Sequence, residues 1–107
     1  MNKITNFREY NNSINNLLLN VSNNDLNKTI KLIKNTIFKN GKIYLVGNGG
    51  SSSIASHVSV DFAKVARVRS STFNNSNLIT CFANDYGYDN WVVEAIKAYV
   101  KKNDMMI

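Results

Sequence analysis

Apolar residues fall at Phe7, Tyr10, Ile14, Leu17, Leu18 and Val21, in steps of three and four with one adjacent pair, the stripe of an amphipathic helix that needs a surface to bury against. A second stripe, Leu26, Ile30, Ile33 and Ile37 with Phe38, follows the capping cluster Ser22-Asn23-Asn24-Asp25 and stops at Asn40-Gly41. Two helices are therefore predicted before any strand. Ile43-Tyr44-Leu45-Val46 is a continuous apolar run ending at Gly47, as in a strand covered on both faces, and a helix is predicted from about Ser52 to Arg67. Leu78-Ile79-Thr80-Cys81-Phe82-Ala83 reads as a second strand and Asn84 to Asn90 as a loop. Trp91 to Lys102 reads as a helix carrying Val92, Ala95, Ile96, Tyr99 and Val100, and Met105-Met106-Ile107 as the start of a third strand. Strands alternating with helices imply a parallel sheet, so the expected fold class is α/β, a partial doubly wound parallel sheet preceded by two N-terminal helices.

A chain of 107 residues with 44% apolar content is sized for one core. The expected organisation is a single domain, with residues 1–40 a helical N-terminal region and 41–107 the start of the sheet. A third strand with nothing after it reads as a truncated domain. The net charge of +6 suits an anionic partner. The basic residues are scattered, however, with only Lys28, Lys31 and Lys34 in a row and Arg67 and Arg69 as a pair. No aromatics interleave them, so nucleic acid is not an expected partner. Asn, Lys and Ile dominate the N-terminal half, which gives the charge a purely compositional source. A single cysteine excludes an intramolecular disulfide, and Cys81 is read as a small core residue of its strand. There is no charged leader before an apolar stretch and no apolar run near the roughly 20 residues of a spanning helix, so a cytoplasmic, non-membrane protein is expected.

The candidate chemistry begins at Gly47-Asn48-Gly49-Gly50-Ser51-Ser52-Ser53, between a strand and a helix. Free backbone N–H groups and the positive end of the helix dipole favour an anion there, the glycines let the backbone approach it, and three serine hydroxyls add rotatable donors. Asn48, Gly49, Gly50, Ser51 and Ser52 are thus candidate binding residues for a phosphate or polyhydroxylated ligand. A Walker loop needs Gly-Lys, but Gly50 is followed by Ser51; the dinucleotide fingerprint needs a third Gly where Ser52 stands. No nucleotide cofactor is expected.

Ser53, His57, Asp61 and Lys64 then form one polar stripe along the helix, beside an apolar stripe of Ile54, Val58, Phe62 and Val65. His57 and Asp61 at i, i+4 can share a proton, hold a divalent metal such as zinc, or form a solvated surface pair. The glycine loop at the head of the stripe favours the first two, with imidazole and carboxylate within reach of a ligand held there.

The run GNGGSSSIASHVSVDFAK, with FANDYGY further on, resembles the sugar isomerase (SIS) domain phosphoheptose isomerases, which act on sedoheptulose 7-phosphate. The resemblance spans nearly the whole chain. It implies that Asn48 and Ser51 contact substrate, that His57 is a ligand or metal residue, and that Asp61 stands where these isomerases place a Glu base, one methylene longer. It implies that Asp85 holds substrate hydroxyls; the residues alone equally allow Asp85 to cap the helix starting near Trp91. Trp91, Tyr86 and Tyr88 are read as packing residues at a subunit boundary. The family's Ser/Thr-rich phosphate loop and second acid/base His would follow the strand starting at Met105, so the chain carries the opening half of a site. The resemblance further implies a homotetramer whose N-terminal helices pack together. The rival reading is a non-catalytic SIS module, a sugar-phosphate sensor or an interaction protein similar to the DnaA initiator-associating proteins.

Overall fold

In the computed structural model, which describes residues 6–107, the apolar run after Gly41 forms β1 (Ile43–Leu45), the middle strand of a three-stranded parallel sheet. The order is β2-β1-β3, with β2 at Ser70–Thr72 and β3 at Met105–Met106. Ile43 pairs with both Ser70 and Met105, and Tyr44 with Ser71 and Met106. Successive β1 side chains point to opposite faces. Ile43 and Leu45 join Ala55 and Val68, with Val58 and Phe62 packed against them, while Tyr44 joins Phe73, Trp91 and Ala95, with Leu78, Ile79 and Phe82 packed alongside. A strand buried on both faces is apolar throughout for this reason, and the expected doubly wound α/β architecture is present.

α3 (Gly50–Lys64) connects β1 to β2 and covers the first face. Its buried residues are the small Ala55 and Ser59, and the Ser70 hydroxyl donates to the Ser59 carbonyl at 2.6 Å, so helix and edge strand meet through small groups. The predicted apolar stripe needs correction here. Val58 and Phe62 face the core, but Ile54 and Val65 are exposed, because the inward face runs through Ala55 and Ser59 instead. The helix also starts and ends earlier than the predicted 52–67.

The second connection holds the larger correction. Residues 78–83 are not a strand: they lie in α4 (Ser76–Tyr86), which is followed by α5 (Trp91–Tyr99) before β3. Asn75 caps α4, its side chain accepting from the Asn77 and Leu78 amides at 3.0 and 3.4 Å. Leu78, Ile79, Phe82 and Ala83 turn inward at helical spacing. Cys81, read as a core residue, is exposed on the opposite side. Trp91 fills this chain's own core rather than a subunit boundary, while Tyr86 and Tyr88 are exposed. β2 was hidden because its Ser-Ser-Thr sequence carries no apolar signal; Val68 and Phe73 beside it anchor it to the two faces.

α1 (Phe7–Leu19) and α2 (Asn23–Phe38) precede β1 as predicted. Asn6 accepts from the Glu9 amide at 2.9 Å and Ser22 Oγ from the Asp25 amide at 3.2 Å. Asn40 adopts a positive φ and Gly41 donates to the Thr36 carbonyl at 2.8 Å, the expected stop. The contacts divide the chain into a unit up to Leu32 and a unit from Ile33 to Ile107. In the first, α1 buries no residue, and Phe7, Leu17, Leu18 and Leu19 are all well exposed. The expected 1–40 region begins in residues 1–5, outside those described. Among the described residues no helix is long and apolar enough to cross a membrane.

Candidate functional site

The chain leaves β1 to β2 on one side and returns to β3 on the other, so the sheet order reverses at β1. Ligands of open α/β sheets bind at the carboxyl ends of the strands where the order reverses. The β1–α3 turn, Gly47 to Ser53, stands there.

Each glycine of that turn has its own reason. At Gly47 an added Cβ would lie 2.3 Å from the Ser51 carbonyl group, so only glycine lets the first turn of α3 fold back over the strand end. Gly49, before the helix, has φ 55°, which side chains disfavour. Gly50 has neither constraint: its φ is not positive and nothing lies within 4 Å of a Cβ there.

Asn74, not singled out from the sequence, clasps the turn from the end of β2. Its Oδ1 accepts from the Gly47 amide at 2.8 Å and its Nδ2 donates to the Gly47 carbonyl at 2.6 Å, replacing a strand partner with a side chain. The turn is also less open than expected. The Gly49 amide donates to Asn48 Oδ1, and the Ser51 and Ser52 amides donate to the Asn48 and Gly49 carbonyls at 3.1 and 3.0 Å. Ser52 Oγ donates to the Gly49 carbonyl at 2.7 Å. The exposed donors are therefore chiefly the Gly50 backbone amide, the Ser51 and Ser53 hydroxyls and the Asn48 side-chain amide, beside the positive end of the α3 dipole.

His57 Nε2 and Asp61 Oδ2 are 3.4 Å apart, with side chains 79% and 54% exposed. Their predicted pairing is present, on an open surface. The helical rise places Asp61 about 15 Å along the axis from Ser51. His57, about 9 Å along the axis from Ser51, stands nearer the turn. A divalent metal would find one imidazole and one carboxylate here, two of the roughly four donors a zinc ion takes. Among the described residues no three His, Cys, Asp or Glu side chains stand together.

Asp85 lies in the last turn of α4, its Oδ1 accepting from Asn84 Nδ2 at 3.0 Å and its Oδ2 3.9 Å from Cys81 Sγ. It does not cap α5, whose N-cap is Asn90. Tyr88, read only as packing, reaches the glycine turn: its hydroxyl is 2.9 Å from Asn48 Oδ1, joining two segments forty residues apart. None of the predicted site residues lines the open cleft of about 540 Å³ formed by Ser71, Thr72, Asn75, Asn77, Cys81 and their neighbours.

Residues 9–107 match the SIS domain family. The chain is 34% identical over 88 residues to a phosphoheptose isomerase of Helicobacter pylori, covering 77% of this chain and 46% of that protein. It is 31% identical over 85 residues to that of Fusobacterium nucleatum, covering 75% and 44%. Among solved structures, phosphoheptose isomerase GmhA from Neisseria gonorrhoeae superposes with a TM-score of 0.66 at 25% identity, over 71% of this chain and 41% of that one. The chain thus spans less than half the length of the relatives it matches. With the motif order, the parallel sheet and the glycine turn at its reversal point all agreeing with a match across nearly every residue, the chain belongs to the SIS domain family.

Proposed function

We propose that this chain supplies the opening half of a sugar-phosphate isomerase site, of the aldose-ketose type that acts on sedoheptulose 7-phosphate. The observation that carries the reading is the glycine turn at the carboxyl end of β1, where Asn48, Gly49, Gly50, Ser51 and Ser52 head the helix that bears His57 and Asp61. Asn48 and the serine hydroxyls would meet sugar or phosphate oxygens, Gly50 would let the ligand approach the backbone, and Asp85 would hold substrate hydroxyls. In the reaction a base takes the proton beside the carbonyl and an acid protonates the enediol; Asp61 is proposed as the base, with His57 beside it at 3.4 Å.

Asp61 lies far enough up α3 that a ligand must extend along the helix from the turn, or be held at the turn of a second copy. The second arrangement favours a shared site in a homo-oligomer. The exposed apolar stripe of α1 supports a homotetramer packed through its N-terminal helices. We place the protein in the cytoplasm, with neither nucleic acid nor membrane as partner. The relatives reported above are isomerases by name, which favours this reading over a non-catalytic module.

His57 is the only histidine among the 107 residues, so no second histidine acid/base is available within them. The 107-residue chain is therefore expected to bind sedoheptulose 7-phosphate without turning it over, and the chain fused to the second half of the Helicobacter pylori relative to isomerise it. In that fusion Asp61→Asn should lower kcat by roughly 10²–10⁴ with little change in KM, as loss of a general base does. Asp61→Glu reports whether the site is built around the shorter acid: activity falls if it is and rises if the backbone matches a Glu base. Turnover by the 107-residue chain above a protein-free control, or a fusion indifferent to both substitutions, would contradict the assignment.

A further inference from the structure

The Asn48 carboxamide is oriented by chemistry and not only by shape. A backbone N–H can only donate, so the atom of Asn48 that lies 3.0 Å from the Gly49 amide must be Oδ1. The Tyr88 hydroxyl, 2.9 Å from the same oxygen, must then donate as well. Oδ1 is thereby saturated with two donors, while no hydrogen bond engages Nδ2 among the described residues.

The segment holding Tyr88 is itself fixed. Gly87 takes φ 85° at the end of α4, the Asn90 amide donates to the Gly87 carbonyl at 3.1 Å, and Asn90 Nδ2 donates to the Tyr86 carbonyl at 3.0 Å. Three residues on, Trp91 is buried in the core. The phenol is thus mounted on a braced turn and reaches across to the end of β1.

We propose that Tyr88 is a positioning residue: by donating to Asn48 Oδ1 it leaves Asn48 Nδ2 as the end offered to ligand. That makes this corner of the site a hydrogen-bond donor selective for an acceptor oxygen, either a phosphate oxygen or a sugar carbonyl. The proposal rests on the sugar-phosphate reading above. Without the hydroxyl the Gly49 amide alone orients the carboxamide, and the amide end is offered less often.

The test is titration of the full chain with sedoheptulose 7-phosphate and, separately, inorganic phosphate, in a double-mutant cycle of Tyr88→Phe and Asn48→Ala. Tyr88→Phe should weaken sedoheptulose 7-phosphate binding roughly 2- to 10-fold, the span of one hydrogen bond, without lowering Tm. The same change in an Asn48→Ala background should have no effect. Matching weakening for inorganic phosphate identifies a phosphate oxygen as the acceptor, and none identifies the sugar end. If Asn48→Ala binds too weakly to titrate, the Asn48 side-chain amide resonances decide: Tyr88→Phe should shift them while leaving the backbone resonances of α3 in place. Equal weakening in both backgrounds, no weakening, or unmoved Asn48 resonances would overturn the positioning role. Failure of the unsubstituted chain to bind sedoheptulose 7-phosphate would instead overturn the reading on which the role rests.

Discussion

Three glycines within four residues invite a single explanation, yet each answers to a different constraint. Gly47→Ala drives a Cβ into the Ser51 backbone, which cannot move without unseating the first turn of α3, and should cost roughly 1–3 kcal/mol. Gly49→Ala forces a side chain into a left-handed φ and should cost about 1–2 kcal/mol. Gly50→Ala meets nothing and sits at the start of a helix, where alanine is the better former, so stability should hold or rise by up to about 1 kcal/mol. Chemical denaturation of the three variants checks this order. On the proposed reading, in which Gly50 lets the ligand approach the backbone, Gly50→Ala should nevertheless lose ligand affinity. The glycines and serines were legible in the sequence because turns at strand ends draw on few residue types. Asn74 and Tyr88 were not legible. Each acts across at least 27 residues of sequence, and an Asn or Tyr carries no local signal of a distant hydrogen bond.

Among the elements, the sequence pattern succeeded where burial and periodicity agreed and failed where composition spoke louder. α1, α2 and β1 were readable because their apolar spacing has one interpretation. Residues 78–83 are rich in β-branched and aromatic types, and that composition suggested a strand over the weaker stripe of Leu78, Ile79, Phe82 and Ala83. The real strand, Ser70–Thr72, is a half-buried edge whose polar side chains form hydrogen bonds, Ser70 to α3 and Thr72 to Asn74, rather than fill a core. Cys81 distinguishes the two assignments experimentally. On the outer side of α4 its thiol should react with a maleimide in the native protein at a rate close to that in the unfolded chain. Protection by several orders of magnitude would place residue 81 in a core strand. The same segment removes one of the two readings of Asp85, as a cap of the helix starting near Trp91, because Asp85 lies within α4 and the N-cap of α5 is Asn90.

For the whole molecule, net charge told least. Lys28 and Lys97 pair with Asp25 and Glu94, and Arg69 donates to the Asn40 carbonyl, so part of the positive charge serves local structure rather than a partner. The sheet told most: its order reverses at β1, and the glycine turn stands at that strand's carboxyl end. The central claim, that this turn receives a phosphorylated sugar, is tested most directly by calorimetric titration of the chain with sedoheptulose 7-phosphate, ATP and NAD, repeated in Ser51→Ala and Gly50→Ala. The account predicts that sedoheptulose 7-phosphate binds more tightly than either nucleotide, and that each substitution weakens it about tenfold or more while the fold stays intact. Tighter binding of ATP or NAD, or sugar-phosphate binding indifferent to both substitutions, would contradict it.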